Sequence, residues 1–176
     1  MRLFLAIDLP KEMKDYLFEL EKKPKEAKIT WVSKKNLHLT LKFFGEVNKE
    51  QLLEIKKRLR FSAKPIQAYI STMGFFPNKK APRVIWVAVE PEDEIIGLQQ
   101  RLDQAFLDIF PSDQKFQSHI TLGRIKSIRR KDDFFKSVDS IKIEPRTFII
   151  DSFQLIKSEL TKTGPIYEVV EVVALS

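Results

Sequence analysis

Cysteine is absent from this 176-residue chain, and histidine occurs only twice. Without thiols there is no disulfide framework, no thiolate nucleophile and no cysteine zinc site. The same absence fits a reducing compartment, so a cytoplasmic location is expected. Glycine is scarce as well, with five residues and no glycine-rich phosphate loop, which argues against nucleoside-triphosphate hydrolysis. No apolar run approaches the roughly 20 residues of a membrane span. The apolar stretch within Met1–Asp8 is too short for a signal h-region and reads as a first strand. Neither histidine has a carboxylate at a recognisable ligand spacing, so no metal and no cofactor are expected.

What is present is a chain with 43% hydrophobic and 11% aromatic residues, enough for a real core. No Gly/Ser linker or low-complexity segment interrupts it, so residues 1–176 are read as a single domain and as a monomer. The formal charge is +7, from 31 basic and 24 acidic residues. That balance suits a phosphate-bearing or nucleic-acid partner.

Both histidines open the same tetrapeptide: His38-Leu39-Thr40-Leu41 and His119-Ile120-Thr121-Leu122. Chance would give this at both available histidines on the order of once in 10^5. Histidine exchanges protons near neutral pH better than any other side chain. A duplicated His-x-Thr therefore reads as two halves of one acid–base site.

A wider repeat surrounds the pair. Leu3–Asp8 resembles Ile85–Glu90, with Pro10 and Pro91 following at the expected first turn of a helix. Ala6 precedes His38 by 32 residues and Ala88 precedes His119 by 31. Met13, Leu17 and Leu20 give the first helix its apolar stripe; Ile95, Leu98, Leu102, Ala105, Phe106 and Ile109 give the second. Asn48 with Gln51 predicts a capped helix start, with Leu52, Ile55 and Leu59 facing the core. Strands are expected over 66–72, 141–143, 147–155 and 166–175, with a turn at Thr163-Gly164-Pro165. The fold class is α+β: two pseudo-symmetric lobes of antiparallel sheet, helices on the outer faces, and an active-site groove between the lobes.

Strict alternation assigns the faces of the two histidine strands. In the first, Leu37, Leu39, Leu41 and Phe43 go to the core, while His38, Thr40, Lys42 and Phe44 face outward. In the second, His119, Thr121 and Gly123 share a face, Gly123 leaving space beside the imidazole. Arg124 then points away from His119 and can reach a ligand only through a bulge or at the strand's end.

Two imidazoles and two hydroxyls in one groove suit metal-independent phosphoester chemistry. One imidazole takes a proton from an attacking hydroxyl or water, and the other donates to the leaving oxygen across phosphorus. Thr40 and Thr121 can donate to the non-bridging oxygens, and Lys42 would offset the phosphate charge. A strained 2',3'-cyclic phosphate, with its leaving group held in the ring, is a sensible substrate. Such a reaction needs one ring neutral and one protonated, which predicts a bell-shaped profile with its maximum roughly between pH 6 and 8.

These residues resemble those of the two-histidine (2H) phosphoesterases, and within them the RNA 2',3'-cyclic phosphodiesterases, also called 2'-5' RNA ligase-like proteins. The likeness spans Arg2-Leu3-Phe4-Leu5-Ala6-Ile7, both signatures with Phe43-Phe44-Gly45 and Gly123-Arg124, and Pro82-Arg83-Val84-Ile85-Trp86. It closes with Ser158-Glu159-Leu160 and Gly164-Pro165-Ile166-Tyr167. The resemblance implies opening of RNA cyclic ends to 2'-phosphates, with His38 the proton donor and His119 the acceptor. It also implies ATP-independent, reversible 2'-5' joining. The motifs alone, being nearly identical, do not assign the two roles.

Other groups admit two readings each. Arg124, Lys126, Arg129, Arg130 and Lys131 either track an RNA backbone or form a solvated loop. Gly74–Lys80 either stacks bases or plugs the core with Phe75 and Phe76. Tyr167 either lines the groove or is a core tyrosine. The rival readings of function are a non-catalytic RNA-binding module and the same chemistry on a small cyclic nucleotide phosphate.

Overall fold

The computed structural model describes residues 1–112 and 115–176. The elements run β1 (Arg2–Asp8), α1 (Lys11–Leu20), β2 (Ala27–Trp31), β3 (His38–Glu46), α2 (Lys49–Arg58), β4 (Ile66–Phe76) and β5 (Val84–Glu90). They continue α3 (Glu92–Gln104), β6 (His119–Ile128), α4 (Lys131–Asp139), β7 (Thr147–Ile150), β8 (Ser152–Thr161) and β9 (Gly164–Ala174). Helices begin where the sequence punctuates them. Pro10 and Pro91 immediately precede α1 and α3, and Asn48 and Gln51 form a reciprocal capping box at α2.

Two antiparallel sheets result, of order β3-β1-β8-β9 and β2-β6-β5-β4-β7. The α+β class and the two lobes follow the expectation, but the halves of the chain are interleaved. β2 and β4 leave the first half for the second sheet, and β8 and β9 return to the first. The strand expected over 147–155 is two strands in different sheets, broken at Asp151. The segment 141–143 forms no strand, and β4 runs on to Phe76.

One hydrophobic core joins both sheets and the helices. Leu3, Leu5 and Ile7 face it from β1, with Leu39 and Leu41 from β3. Met13, Leu17 and Leu20 of α1 and Ile95, Leu98 and Leu102 of α3 complete their predicted stripes. α3 ends at Gln104, and Phe106 enters the core from the turns that follow. The opposite face of β1 makes a separate small cluster of Phe4 and Ala6 with Ile156, capped by Tyr167. β1 is therefore buried on both faces, and its second face forms part of the site.

Candidate active site

His38 opens β3 and His119 opens β6, two strands that approach each other across the boundary between the sheets. The two are built alike. The Nδ1–H of His38 donates to the carbonyl of Asn36 at 2.6 Å, and that of His119 donates to the carbonyl of Gln117 at 2.7 Å. A main-chain acceptor two residues upstream thus fixes the same tautomer in each neutral ring and leaves Nε2 for chemistry. Both carbonyls are anchored in turn. Asn36 donates through Nδ2 to Pro165 of β9, and buried Ser118, next to Gln117, donates to Val89 of β5.

The threonines share the histidines' face. The Thr40 hydroxyl lies 2.8 Å from His38 Nε2 and donates to it when the ring is neutral. Thr121 sits at the matching place in β6, half-buried like Thr40.

Aromatic rings hold each imidazole. Tyr167 meets His38 edge-on at 5.5 Å and Phe4 at 5.1 Å; Phe4 lies 5.2 Å from His38. Tyr167 thus packs on His38 while also covering the small cluster of Phe4, Ala6 and Ile156, so each reading of the sequence describes one of its contacts. His119 lies 4.9 Å from Phe76 and 5.8 Å from Trp86. Trp86 can lie there because Gly74 has no Cβ; one would collide with the six-membered ring of the indole. The two readings of the 74–80 segment divide between neighbours. Phe75 is buried against Phe134 and Phe135, while Phe76 reaches His119.

A bulge overturns the face assignment beyond the threonines. Thr40 pairs with Ala6 but Lys42 pairs with Leu5, so Leu41 is an extra residue. The pleat then changes phase. Lys42 turns inward, where its Nζ lies 2.5 Å from Asp103 of α3, and only 5% of its side chain is exposed. Lys42 is not free to bind substrate. Phe43, expected in the core, is instead 63% exposed on the histidine face, 5.8 Å from Phe4, and Phe44 is buried.

β6 repeats the device. Thr121 pairs with Trp86 and Gly123 with Ile85, leaving Leu122 extra. Gly123 is turned away from the imidazole, which corrects the expectation that it makes room there. A Cβ on it would lie 2.7 Å from Ile29 Cγ2 and 2.8 Å from Trp31 Cε3, so glycine is what lets β2 approach. Arg124 swings onto the face of His119 and Thr121 and remains exposed. It lies near enough to Tyr167 for its charge to oppose the burial that raises the phenol's pKa.

The register also corrects the repeat. Asp8 faces His38 and Ala6 faces Thr40, but Ala88 faces His119 and Trp86 faces Thr121. Trp86 therefore takes the place of Ala6, and the equivalence of Ala6 with Ala88 is displaced by one pleat.

Burial pushes both imidazoles below the usual histidine pKa. For His38 the carbonyl of Asn36 and the carboxylate of Asp8 pull the other way, while Lys14 and His119 add to the depression. His119 is thus close enough for its charge to act on His38. Among the described residues no group of three or more His, Cys, Asp or Glu side chains could hold a metal. No helix among them is long and apolar enough to cross a membrane.

The arrangement is two imidazoles anchored alike, with a half-buried threonine two residues beyond each and one exposed guanidinium on the same face. Comparison with known proteins matches it to a class. The LigT-like phosphoesterase family profile fits residues 7–86 and again residues 87–167, once for each histidine motif. The chain belongs to this family of two-histidine phosphoesterases. A Methanocaldococcus jannaschii protein named RNA 2',3'-cyclic phosphodiesterase is 35% identical, over 97% of this chain and 99% of its own. A Thermotoga maritima protein of the same name is 36% identical, over 96% and 92%. Among solved structures, Thermus thermophilus TT0787 superposes with a TM-score of 0.80 at 30% identity, covering 99% of this chain and 98% of its own. Escherichia coli LigT complexed with 3'-AMP gives 0.78 at 28% identity, with the same coverage.

Proposed function

We propose that this protein is an RNA 2',3'-cyclic phosphodiesterase that opens cyclic phosphate ends to 2'-phosphomonoesters by two-histidine acid–base catalysis. The observation that carries the reading is the matched anchoring of the two imidazoles. Each Nδ1–H is held by a main-chain carbonyl, which leaves each Nε2 for the substrate, that of His38 beside the Thr40 hydroxyl. The names of the full-length relatives support the same substrate class.

In this mechanism His119 accepts a proton from water as its oxygen bonds to phosphorus. His38 donates a proton to the departing 3'-oxygen, and the phosphate stays on the 2'-oxygen. Thr40, Thr121 and Arg124 bear on the non-bridging oxygens, where negative charge builds. Tyr167 packs on His38 and lines the groove. With an RNA 5'-hydroxyl in place of water, the same step forms a P–O5' bond as the P–O3' bond breaks and so makes a 2'-5' linkage without ATP; its reverse, with the two imidazoles exchanging roles, opens that linkage. No metal or cofactor is required, because the imidazoles already supply both acid and base. We further propose that the protein acts as a monomer in the cytoplasm, a setting that the absence of cysteine favours.

The test is product analysis on an oligoribonucleotide ending in a 2',3'-cyclic phosphate, in the presence of a chelator. A 2'-phosphate end is expected. Activity lost in chelator and restored by a divalent metal would overturn the metal-free mechanism, and a 3'-phosphate product would overturn the assigned leaving group.

A further inference from the structure

Beyond Arg124 the histidine face opens into a cleft of about 530 Å³ between the β4–β5 connection, the end of β6 and the start of α4. Five of its lining residues are cations: Lys80, Arg83, Arg124, Lys126 and Lys131. No lining residue is acidic, and all five cations are exposed. Among the described residues none of the five forms an ion pair. Their neighbours Arg129 and Arg130 do, with Glu26 at 3.9 Å and Asp133 at 3.6 Å. The cluster is substantial beside a whole-chain formal charge of +7.

Like charges gathered without counter-charges repel and destabilise the folded state, so the arrangement fits a surface that meets a polyanion. Opening one cyclic phosphate has no use for five cations. The cleft also connects to the right end of the site. Arg124 belongs both to the cleft and to the histidine face, and its charge reaches Tyr167, which packs on His38, the proposed donor to the leaving oxygen. Tyr167 and Arg124 thus link His38 to the cations of the cleft.

We propose that this cleft is a subsite for the backbone of the RNA strand that carries the cyclic end, with Lys80, Arg83, Lys126 and Lys131 meeting upstream phosphates. It rests on the reading of the groove as an RNA cyclic phosphodiesterase site and goes further by assigning the upstream phosphates of that RNA to these four cations. Binding there is electrostatic and blind to sequence.

The experiment compares a cyclic mononucleotide with an RNA of about ten nucleotides bearing the same cyclic terminal nucleotide, across a salt series. For about three neutralised phosphates, log(kcat/KM) on the RNA falls with log[salt] at a slope of about −2, and hydrolysis of the mononucleotide is much less salt-sensitive. The Lys126→Ala/Lys131→Ala double variant should lose about 1.4 units of that slope and raise KM for RNA about tenfold. Its kcat/KM on the mononucleotide should be unchanged. Lys126→Glu, a single exposed substitution, should act in the same direction and guards against a folding defect in the double variant. Wild-type behaviour of the variants on RNA, or an equal fall on both substrates, overturns the cleft assignment. Equal, salt-independent use of both substrates by the wild type overturns it too, while leaving the phosphodiesterase reading intact. Hydrolysis of neither substrate overturns that reading itself.

Discussion

Arg124 stands in β6 where Phe43 stands in β3. Each is five residues after its histidine, and each is turned onto the histidine face by a one-residue bulge, at Leu122 and Leu41 respectively. A shared backbone device therefore presents a guanidinium on one strand and a phenyl ring on the other. The pseudo-symmetry holds for the two imidazoles and their carbonyl anchors and breaks at the residues that flank them.

His38→Ala and His119→Ala should each lower turnover by roughly 10^2–10^4-fold, the usual worth of a general acid or base. The double variant should lose far less than the product of the two effects, because the rings act as a unit. Steady-state kinetics on a cyclic-phosphate oligonucleotide checks this. Near wild-type turnover in either single variant would remove the two-imidazole mechanism.

Burial disfavours the charged form, so both histidines titrate below their usual value of 6.5. The bell in kcat/KM reports the free enzyme and should therefore centre below about pH 6.5, toward the acidic end of the range expected from the sequence. Bound phosphate favours imidazolium, so the kcat bell should lie at higher pH than the kcat/KM bell. The limbs belong to the coupled pair rather than to either ring. A rate that climbs steadily to alkaline pH would count against this scheme.

Lys42→Ala should act on stability and not on chemistry. It leaves Asp103 with Ser112 as its one remaining partner among the described residues, and the loss should be about 3 kcal/mol, typical of breaking a buried pair. Lys42→Met/Asp103→Leu should recover most of it. Denaturant melts together with kcat/KM at a temperature where the variant is folded provide the check; a large fall in kcat/KM there would return Lys42 to the substrate.

Gly123→Ala should cost about 1–3 kcal/mol, because its Cβ meets Ile29, Trp31 and the carbonyl of Thr30 together. Shifting β6 against β2 also moves Arg124, so KM should rise. A variant as stable as wild type would mean that β2 yields freely.

Glu21, at the end of α1, is 4% exposed, its Oε1 has no hydrogen-bond partner among the described residues, and burial pushes its pKa up to about 8. The folded chain keeps this proton between the ordinary glutamate pKa and about 8, whereas the unfolded chain releases it. Stability contributed by the group is therefore lost as pH rises through that window. Glu21→Gln should raise Tm at pH 8 and change it little near pH 4. Equal shifts at both would rule out titration as the cause.

The paired histidine motifs were legible because they repeat: His38 and Thr40, and His119 and Thr121, form a duplicated pattern that few functions require, and the structure sets both at the start of facing strands. Tyr167 was open between groove and core from its residue type alone, and its contact with His38 depends on the long-range pairing of β8 with β9. The anchoring carbonyls of Asn36 and Gln117 were illegible, since any residue supplies a carbonyl; their one trace is the shared position two before each histidine. Lys42, Phe43 and Gly123 were misplaced because period-two reasoning fails after a bulge, and neither Leu41 nor Leu122 differs from an ordinary strand leucine. The displaced equivalence of Ala6 and Ala88 has a related origin. Sequence likeness aligns residue types, whereas cross-strand register decides which of them faces the histidines.

The exchange of strands between the sheets bears on how this enzyme is made and lost. Neither half-chain contains a complete sheet, so a fragment ending near residue 80 or beginning there should not fold alone, even though each carries a full histidine motif. β8 must return across most of the chain to pair with β1, which makes folding slow for a protein of this size. Thermal unfolding should follow one cooperative transition, with activity and structure vanishing together. The duplicated sequence is in this way interleaved, each histidine motif sitting in a sheet that draws strands from the other half of the chain.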